Sequence, residues 1–382
     1  MADAVRSGFD VAVIGAGIVG LAHAFEAARR GRSVVVIERD TRANGASIRN
    51  FGFVTVTGQQ RGESWQLARR TRDIWAEVAP KAGIAVVHEG LLLPVRRHQS
   101  VEVIEAFLAT EMGEGCVLLD RTGLRSRLPH AVDAGALAAL ASPHELRVES
   151  RTAVPALAEW LSKSIGVRFE TDTAALRVTE GGVETPRGFI SAKVVVVCPG
   201  DDFSGLYPQR IAQYRPARCR LSMLRLASPG FVLPSAIMSD LSLVRYAGYA
   251  ELPEASALRT CLESEEAAHL AHGVHLIVVQ SSDGSLVVGD SHHYADLPSP
   301  FAFAESERLI LDEFEQALGF APPPVLERWT GTYATSSERT FFIDAPAPHV
   351  RLVMVTSGTG ASTAFGIAEK TFDDLFNSGI ST

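Results

Sequence analysis

Three sets of residues in this sequence have types and spacings that could do chemistry. The first is Gly15, Gly17 and Gly20, a G-x-G-x-x-G turn, with Glu38 following 18 residues after Gly20. Gly15 permits a tight turn, Gly17 lets the backbone approach a pyrophosphate at a helix N-terminus, and Gly20 allows close helix-strand contact. A carboxylate at Glu38 accepts hydrogen bonds from both ribose hydroxyls of an adenosine and repels a 2′-phosphate. Glycine turns also serve plain packing, so the motif means an adenine dinucleotide only where a strand precedes it and a helix follows. Asp10–Ile14 is a run of strand formers, and Val19, Ala22, Phe25 and Ala27 are spaced for one helix face. Gly31 ends that helix and Ser33–Ile37 is a second strand. The context is met, and Ile18, Val19 and Arg39 flank the turn and the acid as further cofactor-binding candidates.

The second set, Gly358, Thr359 and Gly360, repeats this logic near the C-terminus: a strand over 351–356, a glycine turn, and a helix from about Ser362. Backbone N–H groups at that helix start offer a second anion or oxyanion site. A nicotinamide coenzyme has no need of it, whereas a reduced flavin carries negative charge near N1 and the C2 oxygen. Together the two turns point to FAD.

The third set lies mid-chain. Between Arg218 and Leu326 the extended segments CRLSMLRL, SLVRYAGYA, VHLIVVQ and SLVVGDSHHY alternate, with one helical stretch at 303–318, as in an antiparallel sheet with helices beside it. On SLVRYAGYA, strand alternation puts Tyr246 with Val244 on one face and Arg245 with Ala247 on the other. With one sheet face covering a flavin, Arg245, Tyr246, Tyr249, His275, Gln280, His292 and His293 are the substrate-binding candidates. Each could equally be a surface residue or a satisfied core residue. His292-His293 invites a metal reading, but adjacent strand residues face opposite sides and no other His, Cys or Asp cluster has ligand spacing. No metal is expected. The chain lacks a G-x-S-x-G elbow, so a serine hydrolase is not supported.

The elements that must position these residues suggest two domains, since 382 residues exceed what one core usually organises. The polar segment RDTRANGASIRNFGFVTVTGQQ after Glu38 reads as a loop at the carboxyl edge of the sheet, where Ser47, Arg49, Asn50 and Gly52 would meet the cofactor. Residues 61–83 form an amphipathic helix. IAVVHEGLLLPVR gives two short strands, 101–112 a helix, and LRSRLPHA a turn. ELRVESRTAVPALAEWLSKS is a strand followed by a helix with Pro155 in its first turn. Further strands follow at 167–171, 174–179 and 193–198, the last being the buried parallel strand AKVVVVCPG that returns to the first domain. The expected fold is α/β, α+β overall: a discontinuous Rossmann-like FAD-binding domain (1–85, 145–215 and 327–382) with an inserted antiparallel-sheet substrate domain (86–144 and 216–326).

Composition excludes several classes. The formal net charge is −8 and no Lys/Arg tract concentrates positive charge, so nucleic acid is not an expected partner. No apolar run reaches the ~20 residues of a membrane span. The four cysteines lack metal or redox spacing, and MADAVRSGFD lacks an apolar signal core, so a reduced, cytoplasmic protein is expected. Oligomeric state stays open.

In its order of motifs the chain resembles the D-amino-acid oxidase superfamily, nearest its glycine oxidase and monomeric sarcosine oxidase branch. The resemblance rests on VIGAGIVG with Glu38, VVVVCPG, GTYATSSERTFFID and TSGTGASTAFGIAE, and covers nearly the whole chain. GASIRNFG, ASPHELRVESRTAVPAL, GVHLIVVQ, GDSHHYAD and ERWTGTY also resemble a bacterial subgroup linked with aminophosphonate breakdown. That subgroup implies 2-aminoethylphosphonate or its N-methyl form as substrate, oxidised to phosphonoacetaldehyde. By the same resemblance Ala174 or Ala175 would meet the adenine side, Gly200 the pyrimidine side, and Gly358, Thr359, Gly360 and Ala361 the flavin C2 oxygen. Trp329 and Gly331 would lie beside the flavin and Tyr333 beside the substrate.

Two departures from the family pattern carry meaning. Sarcosine oxidases attach the flavin through a cysteine where Gly331 stands, so non-covalent FAD is expected. Amino-acid-oxidising relatives place a carboxylate-binding arginine near this segment, but Gly331-Thr332-Tyr333 offers none, leaving Arg49, Arg245, Arg339 and the histidine pair as anion candidates. The implied reaction moves a hydride from the amine-bearing carbon of a small amine to flavin N5, and water hydrolyses the imine to an aldehyde or oxo product. Arg49, His292 and Tyr246 are the catalytic candidates. The expected acceptor is O2, giving H2O2; because Val287 and Val288 in SLVVGDS replace the sarcosine-type lysine, a dehydrogenase feeding another electron acceptor is the alternative. The rival readings are a flavin-linked 2-hydroxy-acid dehydrogenase, an NAD-linked dehydrogenase, and a non-turnover flavin subunit of a larger oxidase.

Overall fold

A computed structural model describes residues 8–377. Two sheets organise it. In the first, the strands Val350–Val355, Gly188–Val197, Phe9–Ile14, Val34–Ile37 and Arg168–Glu170 run parallel in that spatial order, and Phe341–Ala347 closes one edge antiparallel. The sequences of the central strands explain their place. Val11, Val13, Val34, Val36, Val194 and Val196 join one core, while Ala12, Val35, Ile37, Val195 and Val197 join another on the opposite face. A strand buried on both faces must be apolar at every position, which is why VVVI and VVVV carry no alternation.

Helices Ile18–Arg29, Glu63–Lys81 and Gly360–Asn377 cover one face. They lock through Phe365, whose ring meets Phe25 at 5.6 Å and Trp75 at 5.3 Å, both edge-to-face. The second sheet has nine strands, in the order Val325–Thr335, Ala217–Leu226, Leu286–Ala295, Ile277–Gln280, Ala236–Met238, Val86–Val95, Ala138–Val148 and Phe53–Val54, with Val117–Leu119 paired to Ala138–Val148. Its pairs are antiparallel except that between Ala236–Met238 and Val86–Val95. One face is sealed by Leu309, Ile310 and Phe314 of helix Ala304–Leu318. The other carries Phe51, Phe53, Leu221 and Ile277 and faces a cavity between the layers.

Several local expectations change. SLVRYAGYA is not a strand: Asp240–Val244 is a 3-10 turn and Ala247–Ala250 a short helix. The cause is tertiary, because Gly248 N donates to the Gly58 carbonyl at 3.0 Å, an approach so close that a Cβ would stand 2.4 Å from the Gln59 carbonyl. IAVVHEGLLLPVR is one strand, Val86–Val95, whose register shifts near His88 and Glu89 mimic a break. LRSRLPHA forms two short helices, Arg121–Arg127 and Pro129–Asp133, and Ala255–Glu265 adds a helix the alternation concealed. Pro155 is the sixth residue of helix Ser150–Trp160, past its first turn. Residues 53–54, 145–148 and 327–335 pair in the second sheet, beyond the borders drawn from sequence. Among the described residues no helix is long and apolar enough to cross a membrane.

The buried His23 of the first helix donates from Nδ1 to the Val19 carbonyl at 2.7 Å, and burial pushes its pKa down from 6.5 to about 4. The unfolded chain takes up this proton near pH 6.5 while the folded ring stays neutral to about pH 4. Stability present in full above that window is lost as pH falls through it, by up to about 1.4 kcal/mol per pH unit for one histidine. Chemical denaturation at falling pH should show this slope, and His23→Gln should flatten it.

Candidate active site

The first glycine turn is fixed by contacts that no side chain could share. Gly15 has φ +102°, and a Cβ on Gly20 would stand 1.8 Å from the Gly15 carbonyl oxygen. Helix Ile18–Arg29 therefore seats directly on the strand end, with its first N–H groups at the cavity. Ile18 N donates to Ser47 Oγ at 2.9 Å, so the loop after Glu38 folds back over the helix start. Glu38 is nearly buried: its Oε2 accepts from Ala16 N at 2.7 Å and its Oε1 from Asp40 N at 3.1 Å. Asn50 pins the loop, donating to the Ala46 carbonyl at 2.8 Å and accepting from Gly52 N at 2.7 Å.

A single cavity of about 690 Å3 runs from this turn to the second sheet. It is lined by Gly15, Gly17, Ile18, Val19, Gly20, Glu38, Arg39, Ser47 and Asn50 around this turn, with Ala174, Ala175 and Gly200 as further lining and Arg49 against Gly331. Farther in it meets Gly331 and the second turn, Gly358, Thr359, Gly360 and Ala361. Gly358 has φ +72° and lies so close to Tyr333 that a Cβ would stand 2.9 Å from its ring. Ser357 and Thr359 hydroxyls meet at 2.7 Å, holding the turn at the start of helix Gly360–Asn377. The innermost wall carries Arg245, Tyr246, His275, Asp290, His292 and Tyr333.

Five expected site residues do not line this cavity. Gly52 serves strand pairing, with φ +69° and space for a Cβ only 1.7 Å from the Val148 carbonyl. Trp329 lies behind the wall, donating from Nε1 to the Arg49 carbonyl at 3.1 Å. Tyr249 is fully buried against Phe107. Gln280 spends its amide on Leu233, Phe231 and Gly284. His293 faces the other side of its strand and meets Ser306 Oγ at 3.1 Å. Arg339 does line the cavity, but its guanidinium lies over the Tyr214 ring.

Sequence reasoning misses one residue. Asp290 is buried on the cavity wall with His292 and with His275 from another segment. The signal is the spacing of Asp290 and His292, two apart in a strand, which alternation places on one face. The structure explains its aim: Ser291 pairs with Ser222 and Gly289 with Met223, leaving Asp290 as the extra residue of a bulge. His275, His292 and Asp290 also bring ligand atoms within 4.8 Å of one another, a grouping the sequence spacing hides.

Electrostatics at the inner wall are set by burial. It pushes His292 down to about 3 and His275 well below its ordinary value, with Arg245 adding to both, and it raises Asp290. Both imidazoles are thus neutral. Arg245 is exposed to the cavity yet enclosed by protein: burial opposes its charge, but the balance of the groups around it, the Asp290 carboxylate among them, raises its pKa and it stays protonated. Its guanidinium has no hydrogen-bond or ion-pair partner among the described residues, and neither has that of Arg49.

These features fit FAD. The first turn presents N–H groups where a pyrophosphate would lie, Glu38 stands at the ribose position, and the second helix start borders the same cavity. Such an arrangement defines a flavin-dependent oxidoreductase. The sequence matches the DAO family, described as FAD dependent oxidoreductase, over residues 10–373, and the chain belongs to that family with FAD as its cofactor. Among solved structures, glycine oxidase from Geobacillus kaustophilus is similar at 16% identity and TM-score 0.76, covering 97% of this chain and 94% of that one. L-proline dehydrogenase from P. horikoshii is similar at 16% identity and TM-score 0.74, over 99% and 96%. L-alpha-glycerophosphate oxidase from Mycoplasma pneumoniae, determined with FAD bound, is similar at 15% identity and TM-score 0.74, over 97% and 95%. No curated protein sequence matches significantly.

Removing the Glu38 carboxylate leaves Ala16 N without its acceptor and the ribose position without its own. Glu38→Ala should weaken FAD binding about 10- to 100-fold, the worth of a charge-assisted bond, as read by titrating the apoprotein with FAD.

Proposed function

We propose that this chain is an amine oxidoreductase acting on a small amine that carries an anionic group, either a carboxylate or a phosphonate as in 2-aminoethylphosphonate or its N-methyl form. The observation that carries this reading is the unpartnered guanidinium of Arg245 on the inner wall, with Tyr246 and Tyr333 beside it and Arg49 against Gly331. An arginine with all its donors free is a receptor for a planar or tetrahedral anion, and it binds carboxylate and phosphonate alike. The bound FAD supplies the acceptor for the hydride leaving the amine-bearing carbon.

The chain's own contribution is positioning and desolvation. Arg245 anchors the anion, Tyr246 and Tyr333 wall the pocket, and Phe51, Leu221 and Ile277 exclude water from the reacting carbon. The same apolar surroundings favour the neutral amine, the form able to release a hydride. No cysteine stands at Gly331, which supports a non-covalent cofactor. The electron acceptor in this reading is O2 or a second redox partner. A hydroxy-acid or phosphorylated-alcohol donor is the rival, and glycerophosphate oxidase among the similar structures keeps it in view.

Anaerobic mixing of the holoenzyme with amines, aminophosphonates and hydroxy acids decides between them. Amines should bleach the visible flavin band, and bleaching by hydroxy acids alone would reverse the assignment. Arg245→Ala should raise KM for anionic amines about 100-fold or more while FAD is retained. Arg49→Ala, measured alongside, reports whether the second guanidinium shares the anion.

A further inference from the structure

Asp290, His275 and His292 form a buried group on the cavity wall that the reading above does not use. Their hydrogen bonding is incomplete. His292 Nδ1 lies 3.0 Å from the Gly273 carbonyl, and since a carbonyl only accepts, that nitrogen carries the ring proton. His292 Nε2 is then a bare lone pair, and it faces Asp290 Oδ2 at 3.7 Å. Two acceptors facing each other in a dry site repel unless a donor lies between them. His275 Nδ1 stands 3.1 Å from Asp290 Oδ1, but at an angle that makes no hydrogen bond, so both atoms are buried without a hydrogen-bond partner. A buried carboxylate with an unpaired oxygen and a neighbouring lone pair is a receptor for a compact cation that brings its own N–H donors.

We propose that Asp290, assisted by His292 Nε2, receives the ammonium group of the substrate and takes one proton from it, so that the chain binds a zwitterion between Asp290 and Arg245. This rests on the amine reading above. The step balances without any further reactant: an N–H bond of the ammonium breaks, an O–H bond forms on Asp290, and the amine left behind is neutral. A primary ammonium has three N–H donors and an N-methyl ammonium two, enough in both cases for Asp290 and His292 Nε2. A raised carboxyl pKa, caused by burial against the opposing pull of Arg245, suits a group that must hold this proton. The titratable and charged groups facing Asp290 are His275, His292, Arg245, Tyr246, Tyr294 and Cys219. A divalent metal ion would meet the same acceptors, but it would sit with its two charges in the field of the Arg245 guanidinium, whereas a zwitterion brings that arginine an anion.

The test compares the holoenzyme with Asp290→Asn, which keeps the shape and removes the charge. For 2-aminoethylphosphonate and glycine, the rate constant for flavin reduction divided by the apparent dissociation constant should fall about 100-fold or more near neutral pH. The variant should then regain activity about tenfold per pH unit towards the free amine's own pKa, because it can use only amine already deprotonated in solution, whereas the parent should level off earlier. Calorimetry supplies a reading independent of turnover: the parent should bind each amine at least about tenfold more tightly than the isostere with methyl in place of ammonium, propylphosphonate or propionate, and Asp290→Asn should erase that preference. An unchanged pH profile in the variant, or equal affinity of the parent for amine and isostere, overturns the proposal; the second measurement needs no variant and decides even if Asp290→Asn fails to fold. Stoichiometric binding of Zn2+ or Co2+ that Asp290→Asn abolishes also overturns it. Failure of every amine to bleach the parent's flavin would instead remove the amine reading itself, a result distinguishable from normal bleaching with an unaltered variant.

Discussion

The close approach of Gly20 to the Gly15 carbonyl is the contact on which the rest of the structure depends. It seats the first helix on the end of its strand, so that the helix start opens into the cavity rather than onto solvent. That helix then receives the C-terminal helix through Phe25 and Phe365, and the C-terminal helix carries the second glycine turn to the same cavity. Two helix starts far apart in sequence thus border one cavity because one pair of backbone atoms nearly touches. Their unpaired N–H groups would be a liability in a dry core; beside an anionic cofactor they are the binding energy.

The opposite wall follows a different physical logic. Its polar groups are few, buried and sparsely satisfied, and their charge states are set by lost solvation more than by partners. Neutral imidazoles, a protonated guanidinium with no hydrogen-bonded partner among the described residues and a carboxylate with an idle oxygen make a strongly polarised pocket. Fold stability gains nothing from such an arrangement, and unsatisfied groups of this kind mark places where a ligand completes the bonding.

Much of the cofactor layer is legible in the sequence because local chemistry determines it. Glycine spacing, the two-faced apolar strands and the acid at the end of the second strand each leave the backbone few alternative arrangements. The second sheet is less legible. SLVRYAGYA looks extended because it is apolar, and only the Gly58 backbone against Gly248 makes it turn. His275 comes to Asp290 from another segment and so has no sequence spacing to announce it. Tyr249 and Gln280 have the residue types of a binding site, but their neighbours satisfy them internally, a matter of packing that composition does not encode.

The bulge at Asp290 has a consequence for reading frame. Before it, Leu286 and Val288 point to the helix-covered core and Val287 to the cavity side; after it, His292 points to the cavity and His293 to the helix. One surplus residue thus inverts the parity of the strand, letting a single segment fill a dry core with its first half and furnish a polar pocket with its second. Loss of the surplus residue itself would keep His292 opposite Leu221 and His293 opposite Arg220, so both histidines would hold their faces while the pocket lost its acid; among relatives the length of this strand therefore reports on the carboxylate.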